Sequence, residues 1–274
     1  MINKQTISTL LELSKVKITF AVSLTTITGY VLASGRFDAG LILPTLGIFL
    51  LACGSSALNH YQERDRDAQM ERTRNRPIPS GRISANGALV TALVLSGAGS
   101  FLIWFGSGML ALQLALLALI WYNFIYTPLK KKTAFAVVPG SVIGSLPPLV
   151  GWVAGGGTLA DPRALIIAFF FFIWQVPHFW LLLLFYEKDY ADGGMPSLFD
   201  RFDRRQIVRL TFLWIAAVCV AALMIPYQYL DKVFLSHLHT DHFGDIDALW
   251  AGGWTAGRPN ALRVWGPSGE TPEM

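Results

Sequence analysis

Between Asn59 and Pro77 the chain reads NHYQERDRDAQMERTRNRP, with four acids and five arginines. Asn59, Glu63 and Asp67 stand at i, i+4 and i+8, so a helix stacks them on one face, turn over turn. Carboxylates at that spacing repel each other unless a cation sits between them. Hard oxygen ligands, few of them from protein, suit Mg²⁺, which keeps water and completes its shell with phosphate oxygens. Asn59, Glu63 and Asp67 are therefore candidate ligands, and Asp65, though it faces elsewhere on the helix, is counted with them. Just downstream, Arg72, Arg74 and Arg76 offer guanidinium forks that match phosphate oxygens in pairs. A metal plus arginines is what makes diphosphate a good leaving group. The bland alternative is a solvated loop whose charges neutralise one another.

The second half of the chain repeats the theme. FYEKDYADGGMPSL carries Asp189 and Asp192 at i, i+3 around Tyr190. This pair can hold a second cation on the same diphosphate, with Asp189 joining Asn59, Glu63 and Asp67 as the catalytic set. The alternative is an ordinary helix end with Gly-Gly as its terminator. Lys130–Lys132 are either phosphate contacts or a topology anchor, and Lys131 is taken as the phosphate contact.

These residues need a scaffold, and the composition says what kind. The chain has 274 residues, is 53% hydrophobic and only 15% charged, against about 25% charged in soluble domains. Seven apolar runs approach the roughly 20 residues needed to span a bilayer: Ile18–Ala33, Leu41–Leu58, Ala88–Phe105, Met109–Tyr126, Thr133–Ala154, Ala164–Tyr186 and Ile207–Tyr229. Cys53 and Cys219 both lie inside such runs and read as small buried hydrophobes. Lysines and arginines crowd the N-terminus and the connections after runs two, four and six, whereas those after runs one, three and five hold only Arg36 and Arg163. The positive-inside rule then puts the N-terminus and the acidic clusters on the cytoplasmic side.

Three blocks, NHYQERDRDAQMERTRNRPIPSG, YTPLKKKTAFAVVPGSVIGSLPPLVGW and WQVPHFWLLLLFYEKDYADGGMPSL, closely resemble the protoheme IX farnesyltransferase family, the heme O synthases, within the intramembrane prenyltransferases. The resemblance covers residues 8 to 228 or so. It implies an all-α polytopic bundle of nine helices in the inner (plasma) membrane, and Mg²⁺-dependent transfer of farnesyl from farnesyl diphosphate to a vinyl of heme b. Water then completes the hydroxyethylfarnesyl group of heme o. The family's first motif falls on Asn59, Glu63, Asp65 and Asp67, with Glu63 where Asp is frequent. Its arginine elements fall on Arg72 and Arg76, and its Asp-Tyr element on Asp189 and Tyr190. His178, alone in an apolar stretch, is either a heme contact or a neutral histidine serving a carbonyl freed by Pro177. Implied partners are farnesyl diphosphate, heme b, the bilayer and the next enzyme of heme A synthesis, and no nucleic acid.

Beyond Tyr229 the text changes. Residues 230–274 have no spanning run and read as a short α/β-like non-membrane fragment. HLHTDH, with His237, His239, Asp241 and His242, resembles the zinc motif of metallo-β-lactamase-fold hydrolases. No further histidine follows, so zinc is not expected to bind. The expected organisation is a prenyltransferase domain, 1–229, with about seven spans, two fewer than the family's nine, joined to a fragment, 230–274. Alternatives are a membrane-anchored zinc hydrolase, a prenyltransferase for another acceptor and a non-catalytic scaffold.

Overall fold

The computed structural model describes residues 4–71, 73–185, 196–229, 232–234 and 263–265. Its long elements are α1 (Lys4–Leu13), α2 (Val16–Ser34), α3 (Ile42–Asp67), α4 (Ala85–Ile120), α5 (Val142–Ala154), α6 (Pro162–Phe185) and α7 (Arg204–Tyr229). A π-helical stretch, Trp121–Tyr126, continues α4 into Thr127–Leu129. The all-helical membrane architecture expected from the apolar runs is what the chain adopts. Among the described residues, six helical stretches are long and apolar enough to cross a membrane, where the sequence suggests seven runs.

The difference lies in α4. Its apolar stretch, Ala85–Leu129, is 45 residues long, about twice what a bilayer needs. Gly108 interrupts it with φ 79° and ψ −174°, a conformation open essentially to glycine alone. At the start of the stretch, Ala88 and Ala92 pack with Ala57 of α3. Near its end, Thr127 accepts a hydrogen bond from Asn59 of the same helix. Both ends thus lie beside one end of α3, so the chain reverses at Gly108. Runs three and four are two antiparallel arms hinged on a single residue.

Both arms pack on α3. Ile48 and Leu51 of α3 join Ile103 of the first arm, Ala111 and Ala115 of the second, and Val150 of α5 in one buried cluster. Leu13, at the end of α1, is fully buried against Ala57, Ala88 and Ala92. The Ser56 hydroxyl donates to the Leu13 carbonyl, 3.1 Å away, and fixes the α1–α2 corner on α3. A second cluster joins Val176, Trp180 and Leu183 of α6 to Leu198 and Ile207. Outward faces carry exposed apolar groups such as Val94, Phe105 and Phe212, the pattern of a surface that meets lipid rather than water.

The chain divides into two packing units, Met1–Ile215 and Ala216–Met274. In the second, β1 (Lys232–Phe234) pairs in parallel with β2 (Arg263–Trp265), Val233 opposite Val264. His237, His239, Asp241 and His242 lie outside the described residues.

Candidate active site

α3 does not stop at the end of its apolar run but continues to Asp67, which carries the polar cluster out on a rigid rod. Along one stripe of this helix, Leu51 and Ser55 line a cavity, and the next two turns present Asn59 and Glu63. The i, i+4 spacing read from the sequence is the physical cause of that continuity. Asn59, Glu63 and Asp67 are all buried, at 1%, 7% and 4% exposure. Asp65 is not with them: two residues from Glu63, it turns to the far side of the helix, where its side chain is 86% exposed and meets Arg64 at 3.7 Å.

Each buried carboxylate holds a cation. The Lys130 ammonium donates to Glu63 Oε2 at 2.8 Å. Arg76 Nη1 donates to both oxygens of Asp67, at 2.8 and 2.9 Å. The connection that brings Arg76 back is pinned by Thr73, whose hydroxyl donates to the Asp67 carbonyl at 2.9 Å, and by Arg82, which reaches Glu12 of α1 at 2.6 Å. Arg74 points outward and pairs with Glu71. Arg72 lies outside the described residues, as do Asp189, Tyr190 and Asp192. Among the described residues, no three His, Cys, Asp or Glu side chains group as a metal cage.

The opposing wall is the π-helical stretch. The wider turn brings its polar groups onto α3, as π-helices do at functional sites. Thr127 donates to the Tyr122 carbonyl at 2.9 Å and accepts from Asn59 Nδ2 at 3.1 Å. Asn123, 1% exposed, accepts from the Ser55 hydroxyl at 2.6 Å and donates to the Ser55 carbonyl and to Gln62 Oε1. Gln62 returns a bond to the Asn123 carbonyl at 3.1 Å. This lattice sets the register that puts Lys130 opposite Glu63. The sequence reading chose Lys131, which has no such placement. The usable signal was the buried stripe Asn123, Thr127, Lys130 at i, i+4, i+7.

Lys15 lies beside this cluster, a placement the sequence does not suggest. It occupies the corner between α1 and α2 with φ 47° and ψ 49°, the only non-glycine with positive φ among the described residues, and its side chain lines the cavity. Loss of water around the amine, then the charges of Arg76 and Lys130, push its pKa down to about 8 against the pull of Glu63 and Asp67. Nothing in the local sequence announces a lysine in that backbone conformation. His60, beside Asn59, is buried with neither ring nitrogen hydrogen-bonded. His178 is exposed and stacks on Trp174 with centroids 5.1 Å apart, so it does not join the Asn59–Asp67 cluster.

The cavity itself has a volume of about 330 Å³. Lys15, Tyr122 and Tyr126 stand at its polar end, and Ile48, Pro147 and Phe179 line the apolar remainder. A charged mouth over an apolar slot suits an amphiphile with an anionic head and a hydrocarbon tail.

The chain is similar to known proteins. The sequence profile of the UbiA prenyltransferase family matches residues 22–239. A protoheme IX farnesyltransferase of Oleidesulfovibrio alaskensis is 38% identical over 222 residues, 78% of this chain and 76% of that protein. One from Geobacter sulfurreducens is 39% identical over 201 residues, 73% and 74% of the two chains. A UbiA homolog from Archaeoglobus fulgidus, solved bound to GPP and Mg²⁺, superposes with a TM-score of 0.64 at 12% identity, covering 97% of this chain and 92% of the other. A digeranylgeranylglyceryl phosphate synthase gives 0.62 at 22% identity, covering 93% and 88%. Those two likenesses establish the fold. None of these matches supports the hydrolase resemblance of the C-terminal stretch.

Proposed function

This chain belongs to the UbiA prenyltransferase family and is a multi-pass membrane prenyltransferase, and from that premise we propose that it transfers farnesyl from farnesyl diphosphate to a vinyl group of heme b, giving heme o. The observation that carries this reading is the pair of buried carboxylates, each neutralised by a cation from another segment, on the helix whose Leu51 and Ser55 line an apolar cavity. The protoheme IX farnesyltransferase relatives support heme b as the acceptor.

The oxygens of Glu63, Asp67 and Asn59 fit a small hard cation that arrives with the diphosphate and keeps part of its water. Magnesium, when bound there, supplies charge neutralisation to the departing diphosphate. Arg76 and Lys130 have carboxylate partners at rest and phosphate oxygens as partners when the ligand enters. That exchange leaves no buried charge uncompensated at either stage. Lys15 brings a third positive charge to the same mouth. From the family motif we also assign Asp189, Tyr190 and Asp192 to the diphosphate cradle and Arg72 to a phosphate contact. The apolar walls seat the farnesyl chain and exclude water from the allylic cation, while the rings of Tyr122 and Tyr126 face positive charge at the mouth.

The positive-inside pattern supports a cytoplasmic mouth and N-terminus in the inner membrane. The test is direct. Membranes carrying the chain, given farnesyl diphosphate, heme b and Mg²⁺, should yield heme o by mass spectrometry, and EDTA should abolish it. A different prenylated acceptor, with heme b untouched, would overturn the assignment.

A further inference from the structure

Within the cavity wall one polar group stands apart. The Ser55 hydroxyl is bonded to Asn123, that of Ser56 to the Leu13 carbonyl and that of Thr19 to the Val16 carbonyl. Gln175 of α6 also lines the cavity, yet its amide oxygen is buried with no hydrogen-bond partner. Burying an unpaired amide acceptor is costly, and a leucine would serve a purely apolar slot better.

The wall opposite is shaped around this amide. Gly144 of α5 faces it, and a Cβ there would collide with the amide oxygen and lie 3.2 Å from its carbon. Pro147 and Pro148 follow inside the same helix. Proline has no N–H, so the carbonyls of Ile143 and Gly144 lack their usual helical donors. Ile143 lines the cavity too. One amide and two released carbonyls offer the two to four polar partners that a buried water requires.

We infer that Gln175, with the carbonyls released by Pro147 and Pro148, holds the water molecule that completes the reaction. This rests on the heme reading above. In that reaction the farnesyl C1 forms a bond to the terminal vinyl carbon as its bond to diphosphate breaks. The positive charge is left on the vinyl carbon next to the porphyrin ring. The water oxygen bonds to that carbon, and the proton it loses passes to the released diphosphate. Without a held water the same cation loses a proton from the adjacent carbon instead. The product is then a farnesylated alkene, lighter than heme o by one water. Gln175 is in this account a positioning residue that selects between two products.

The experiment uses the full chain in nanodiscs with farnesyl diphosphate, heme b and Mg²⁺ in ¹⁸O-water, with both farnesylated hemes quantified by mass spectrometry. Wild type should give ¹⁸O-labelled heme o. In Gln175→Leu the ratio of hydrated to dehydrated product should fall about tenfold, the rate equivalent of one hydrogen bond. Gly144→Ala, which pushes on the amide, should shift the ratio the same way. An unchanged ratio in both variants overturns the inference. So does loss of both products in Gln175→Leu with farnesyl diphosphate binding intact, since Gln175 would then act before water addition. No farnesylated heme of either mass from wild type would remove the heme reading, and this inference with it.

Discussion

At the end of α3, Glu63 and Asp67 each hold a cation at 2.8 Å. In the wall formed by α5 and α6, a neutral glutamine has its amide oxygen buried without a partner. The contrast teaches how one slot handles two charges of opposite sign. An anionic head needs dense positive charge whose counter-ions can step aside without leaving a bare buried carboxylate. An allylic cation needs surroundings that stabilise it without offering a nucleophile too early. Segregating the two, with the ion pairs on α3 and the neutral wall on α5 and α6, lets both conditions hold in one protein.

The largest expected effect breaks the mouth. Glu63→Gln or Asp67→Asn should lower kcat/KM for farnesyl transfer by about 1000-fold, as loss of a principal electrostatic group does, with the helical circular dichroism spectrum kept. Asp65→Asn, on the exposed side of the same helix, should change it by less than about twofold, because an exposed ion pair contributes little. A loss at Asp65 equal to that at Asp67 would dissolve the distinction between the two faces.

Next comes the partner of Glu63. Lys130→Met should weaken farnesyl diphosphate binding by about 30- to 100-fold, the scale of a lost charge-assisted contact of 2–3 kcal/mol. Lys131→Met should leave binding within about twofold. Equilibrium binding of a non-hydrolysable farnesyl diphosphate analogue measures both, and a reversed order would place the phosphate contact back on Lys131.

A smaller effect concerns the scaffold. Gly108→Ala forces a side chain into a conformation that costs about 1–3 kcal/mol. It should lower the unfolding temperature in detergent by a few degrees, with kcat per folded molecule unchanged.

The subtlest effect is in pH. The folded-state pKa of Lys15, about 8, lies below its ordinary value of 10.5. Below about 8 the amine is charged in both folded and unfolded chains. Between about 8 and 10.5 the unfolded chain still binds the proton that the folded chain has released, so this group's contribution to stability rises with pH through that window. Phosphate binding needs the ammonium and should weaken as pH passes 8. Lys15→Arg keeps the charge and should flatten that part of the KM profile, with less than about threefold change at neutral pH. A profile with the same inflection in the arginine variant would assign the titration to another group.

Much of this was legible in the residues. The apolar runs specified a helical membrane bundle because a lipid-spanning backbone has few other ways to satisfy its hydrogen bonds. The i, i+4, i+8 spacing of Asn59, Glu63 and Asp67 specified one face because helix periodicity is local geometry. The same periodicity separates Asp65 from that face, though counting acids alone groups it with them. Runs three and four join without a loop because one glycine dihedral reverses α4, and nothing in a hydropathy profile distinguishes a hinge from a loop.

Sequence by itself determined which segments are helices in a membrane and which face of α3 carries the acids. Both follow from interactions between residues a few positions apart. Only tertiary structure decided that Lys130 rather than Lys131 meets Glu63, that Arg76 closes on Asp67, that Lys15 turns into the cavity and that Gln175 is left unpaired in its wall. Those outcomes depend on the register between segments far apart in the chain, set by the Asn123–Ser55 lattice and by close helix packing, and no local pattern encodes that register.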